Sequence, residues 1–73
     1  MEHLDRLVAE KVRHAMLEAG LSPDELVRRS GLPASALHRR LAAQDSFDLF
    51  ELVHLAAVLD CRVADLVPAE EEL

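Results

Sequence analysis

Leu21-Ser22-Pro23-Asp24-Glu25-Leu26-Val27-Arg28-Arg29-Ser30-Gly31-Leu32-Pro33 holds the start, the stop and the restart of a helix in one short stretch. Ser22 is a strong N-cap. Pro23 suits the first helical position, where its missing N–H would have no partner anyway, and Glu25 completes a capping box with Ser22. Leu21 and Leu26 stand at the two ends of a hydrophobic staple. Leu26 and Val27 face inward, and Gly31 stops the helix because it adopts a left-handed conformation without steric cost. Pro33 is tolerated where a new helix begins, and that helix is expected over about 33–43. Leu37 and Leu41, four apart, mark its buried side. At about 100° per residue the opposite side centres on Ser35 and Arg39, flanked by His38, Ala36, Ala42 and Ala43, with Ala34 beside them at the start of the helix.

Working outward, Leu4, Leu7, Val8, Val12, Ala15, Met16 and Ala19 recur at helical spacing and define a first amphipathic helix closed by Gly20. Beyond the central stretch, Gln44-Asp45-Ser46 reads as a polar loop. Asp48 and Glu51 repeat the capping box, and Phe47 with Leu52 repeats the staple. A fourth helix is expected to run to Leu59, burying Leu49, Leu52, Val53, Ala56 and Leu59. Asp60, one of the few residues besides glycine that tolerates a left-handed stop, ends it. Val63, Leu66 and Val67 suggest a short fifth helix terminated by Pro68. The expected organisation is one domain over residues 1–68 and an acidic, frayed tail over 69–73.

Composition supports an all-α fold. The chain has 14 Leu, 11 Ala and 7 Val but no Ile, Thr, Tyr or Trp, so helix formers dominate and strand formers are scarce. A chain of 73 residues buries about 60% of its unfolded surface, enough for one core. No apolar run approaches the roughly 18 residues of a membrane span, and the start lacks the basic and apolar regions of a signal peptide. Cys61 is the single cysteine, which fits a reducing, cytoplasmic setting. The net charge of −6 is unevenly spread. Residues 26–44 carry Arg28, Arg29, Arg39 and Arg40 and no acid, whereas residues 45–73 hold only Arg62 against eight acids. A local basic patch flanked by acid admits a polyanion in one orientation only.

From Val12 to Val67 the chain resembles the lambda-repressor-like, or XRE/Cro, helix-turn-helix family. The resemblance rests on Leu21-Ser22-Pro23-Asp24-Glu25-Leu26-Val27 for the first helix of the motif, Gly31 for the turn, and Leu37-His38-Arg39-Arg40-Leu41-Ala42 for the second helix. Phe47-Asp48-Leu49-Phe50-Glu51-Leu52, Leu55-Ala56 and Leu59-Asp60-Cys61 continue it through the next helix and its exit. Arg-Arg-Leu-Ala followed by a Phe-led helix is similar to actinobacterial or actinophage members. The resemblance implies a compact five-helix domain that acts as a phage-type repressor or Cro-like regulator of transcription. The motif's second helix would lie in the major groove of double-stranded DNA while its first crosses the backbone. Ala34, Ser35, His38 and Arg39 fall where relatives contact base edges, and Arg39 has the fork that reads guanine. Ser22, Arg28, Arg29, Arg40 and Gln44 would contact phosphates.

Three departures from the family pattern stand out. Pro33 replaces the usual Ser or Thr cap, Ala34 and Ala36 offer only apolar contact, and Asp45 sits where relatives carry Lys or Arg. An aspartate there is expected to repel the DNA backbone. Phe50, His54, Ala57, Val58 and Cys61 form a second stripe on the fourth helix, and relatives carry polar residues at Phe50 and Ala57. The family's dimer contact lies in this region, so Phe50, Val58, Val63 and Val67 are candidates for a homodimer interface. His3, His14, His38 and His54 lack metal-site spacing, and no nucleophile pairs with a base. No enzymatic activity, cofactor or metal is therefore expected. A second class stays open: a protein-interaction module (antirepressor, antitoxin or inhibitor) that keeps the fold, has lost DNA, and engages a basic protein partner through its acidic surface.

Overall fold

The capping residues place four α-helices: α1 over Glu2–Ala19, α2 over Pro23–Ser30, α3 over Ala34–Leu41 and α4 over Leu49–Leu59. Single 3₁₀ turns follow at Val63–Leu66 and Glu70–Glu72. A computed structural model describes residues 2–73, and these are helical with no strand. Met1, where the expected domain begins, lies outside them.

Both expected capping boxes form. At α2 the Glu25 N–H donates to Ser22 Oγ and the Ser22 N–H donates to Glu25 Oε1, each at 3.2 Å. At α4 the Glu51 N–H donates to Asp48 Oδ1 at 2.7 Å and the Asp48 N–H to Glu51 Oε1 at 2.9 Å. Gly31 (φ 75°) and Asp60 (φ 55°) are the left-handed stops. α3 is shorter at both ends than the expected 33–43. Pro33 flanks the helix without a side-chain cap. At the other end Ala43 turns left-handed at φ 62°, and the Gln44 N–H bonds to the Arg39 carbonyl at 2.9 Å. That bond closes the helix with an alanine where glycine is the usual choice.

The core joins Val12 and Met16 of α1, Leu26 of α2, Leu37 and Leu41 of α3, Leu52, Leu55, Ala56 and Leu59 of α4, and Leu66. α1 packs on α3, α4 and the first 3₁₀ turn, while α2 packs on α3 and α4. The Arg13 guanidinium of α1 donates to the Leu41 carbonyl at 2.6 Å, giving one of the last carbonyls of α3 a cationic partner.

Two expectations need correction. Leu49 and Val53 are exposed rather than buried, and Leu55, absent from the expected core of the fourth helix, is fully buried. α4 is apolar nearly all round, so hydrophobic periodicity cannot set its rotation, and packing against α1 and α2 does. The acidic tail follows over 69–73. Its 3₁₀ turn brings Glu72 to Lys11 on α1, Oε1 to Nζ 2.9 Å, and that contact holds the Glu72 carboxyl below its ordinary pKa.

Candidate nucleic-acid interface

The turn between α2 and α3 is held from inside. Ser30 is buried, and its Oγ accepts the Leu32 N–H at 3.2 Å. Its carbonyl accepts from His54 Nε2 of α4 at 2.6 Å, which fixes the imidazole proton on that nitrogen. With Leu26 and Leu37 fully buried beneath, α3 cannot rotate about its axis without tearing the core. The face left outside carries Ala34, Ser35, His38 and Arg39, all exposed and all expected from the sequence to face outward. No acid lies on α3 itself.

The candidate phosphate contacts divide into two kinds. Arg28 and Arg29 are exposed on the last turn of α2 and make no ion pair among the described residues. Gln44 is exposed on the loop after α3. The Ser22 hydroxyl is exposed and engaged with Glu25, accepting its N–H and facing its carboxylate. The two bonds from Ser22 hold the Glu25 carboxyl below its ordinary pKa, and Arg29 and Arg28 add to the effect. Arg40 sits differently. Its Nη1 lies 3.0 Å from Glu51 Oε2 of α4, with side chains only 22% and 14% exposed, and its Nε donates to the Ser46 carbonyl at 3.3 Å. Arg40 therefore ties α3 to the start of α4.

Arg39 also has a partner. Its Nε lies 2.9 Å from Asp45 Oδ2 and its Nη2 3.4 Å from Asp45 Oδ1, with side chains 60% and 44% exposed. The sequence pointed to Asp45 as a charge repelling phosphate, whereas its carboxylate here faces an arginine on the outward side of α3. The contacts that Arg13, His54, Asp45 and Glu51 make to this region escaped the sequence reading. Their partners lie across loops or between helices, at separations no local periodicity marks.

Elsewhere, Phe50 is 85% exposed and continuous with Leu49 and Val53, Val67 is exposed, and Val58 and Val63 are half-buried against the core. Burial, with Asp65 and Asp60 nearby, pushes the half-buried Cys61 thiol up and away from thiolate chemistry. Among the described residues no three His, Cys, Asp or Glu side chains converge as a metal site, and no helix is long and apolar enough to cross a membrane.

Residues 11–72 match the family model of the Cro/C1-type helix-turn-helix DNA-binding domain. No curated protein and no solved structure matches the chain significantly. The matched span contains α2, the Gly31 turn, the outward face of α3 and the helix that braces them, and the chain belongs to the Cro/C1-type helix-turn-helix DNA-binding domain family.

Proposed function

We propose that this protein is a sequence-specific regulator that binds double-stranded DNA in the manner of a phage-type repressor or Cro-like protein, with α3 in the major groove. The observation that carries the reading is the exposed face of Ala34, Ser35, His38 and Arg39 on a helix locked by the core, with Arg28 and Arg29 exposed and making no ion pair among the described residues on the helix before it. In this reading Arg39 reads guanine, Ser35 and His38 add hydrogen bonds, and Ala34 meets a thymine methyl. Arg28, Arg29, Gln44 and the Ser22 hydroxyl grip phosphates, and Arg40 contributes field more than contact. Selection from random duplexes at two salt concentrations tests it. Arg39→Ala weakens specific binding by about 1–3 kcal/mol and relaxes preference at one base pair. Arg28→Ala weakens binding to all duplexes alike and lowers the salt slope by about one.

The exposed Phe50 supports a homodimer, which would present two recognition helices to two half-sites. Phe50 and Val67 are its exposed candidates, and Val58 and Val63, half-buried against the core, are the others. In ultracentrifugation Phe50→Glu gives a helical monomer, because a carboxylate cannot be solvated inside an apolar contact. A wild type already monomeric at high micromolar concentration removes the dimer from the proposal.

The protein-interaction reading draws on one specific observation: Asp45 and Glu51 partner two of the four arginines of the basic window. A wild type that binds no duplex at about 50 mM salt, where phosphate contacts are strongest, removes the DNA reading, and pull-down of a basic protein partner then tests this one.

A further inference from the structure

We propose that Asp45 is a positioning residue for base reading: it holds one edge of the Arg39 guanidinium so that the other edge meets a guanine. This rests on the DNA reading above and assigns a job to a residue that reading would otherwise count as a hindrance.

Guanidinium presents five N–H donors in a rigid plane. The contacts to Asp45 use Nε (2.9 Å) and Nη2 (3.4 Å), whose hydrogens point along the same side edge. The remaining donors, on Nη1 and the outer side of Nη2, form the terminal edge. That edge offers two parallel N–H groups, the pattern that matches O6 and N7 of guanine. The carboxylate thus occupies the edge that base recognition can spare.

The support is itself anchored. Left-handed Ala43 and the bond from the Gln44 N–H to the Arg39 carbonyl fold the loop back so that Asp45, six residues on, reaches Arg39. The next residue is held twice. The Ser46 carbonyl accepts from Arg40 Nε at 3.3 Å, and the Ser46 hydroxyl donates to Asp5 of α1 at 2.6 Å. A long, flexible side chain is thereby oriented before DNA arrives, which reduces the ordering that binding demands. In the free protein the pair is exposed and adds little to stability, but burial in a groove strengthens it. The carboxylate also faces phosphates, so it lowers affinity for every duplex while sharpening the choice among them.

The test selects duplexes from a random library with the full chain, its Arg39→Ala variant, and Asp45→Ala and the isosteric Asp45→Asn. Melting temperature and helix content are measured in parallel. Wild type enriches guanine at one position and Arg39→Ala loses it. Both Asp45 variants keep the wild-type melting temperature, lose about fivefold of the guanine preference at that position alone, and bind random duplex more tightly. Undiminished guanine preference in the Asp45 variants overturns the positioning role and leaves Arg39 as the reader. Preference unchanged in Arg39→Ala overturns it by removing the side chain it positions. A wild type that enriches nothing overturns both the inference and the DNA reading.

Discussion

α2 and α3 are both eight residues long, and each carries an Arg-Arg pair near its end, yet the two pairs meet different fates. Arg28 and Arg29 stand in solvent. Arg39 and Arg40 are claimed by Asp45 and Glu51, acids that follow α3 in the chain and fold back onto it. The helices also begin and end differently. α2 has a full capping box and stops at Gly31, whereas α3 starts behind Pro33 with no side-chain cap and is closed by left-handed Ala43. α2 is thus specified by its own residues and keeps its charge for a partner. α3 borrows its support from Arg13, Ser46 and Glu51, and part of its charge is spoken for.

The largest expected effect lies on the tied side. Glu51→Ala leaves the half-buried Arg40 without its partner and removes the acceptor for the Asp48 N–H, so denaturant unfolding should show a loss of about 2 kcal/mol. Arg28→Ala, its counterpart on the free side, should stay within about 0.5 kcal/mol of wild type. Equal losses from both would erase the distinction between the two pairs.

A smaller effect separates the two helix ends. Gly31→Ala should cost about 1 kcal/mol through backbone strain alone, since an added Cβ meets no atom within 4 Å and only the φ of 75° opposes it. Thermal unfolding measures this. The smallest change runs the other way. Ala43→Gly should gain about 0.5 kcal/mol, because relief at φ 62° exceeds the added freedom of the unfolded chain. A melting temperature that falls instead would mean that the alanine at this stop is not strained.

Legibility in the sequence follows the same division. The Ser22 and Asp48 boxes and the stops at Gly20, Gly31 and Asp60 were readable because a cap is satisfied by residues within four positions of it. The outward face of α3 was readable because Leu37 and Leu41 alone fix its phase. Ala43 was not, since nothing in an alanine announces a left-handed turn. The rotation of α4 was not, since Leu49, Phe50, Val53 and Leu55 are equally apolar and only packing decides which of them is covered.

Sequence by itself thus determined where α2 and α4 start, where α1, α2 and α4 stop, and which side chains α3 shows to solvent. Tertiary structure alone decided which arginines remain free to meet a polyanion, which way α4 turns, and that Asp45 faces Arg39 rather than open solvent. Caps and periodicity are local and act through neighbours in the chain. Ion pairs such as Arg40–Glu51, and the choice of one apolar face over another, depend on distances between elements that exist only once the core has closed.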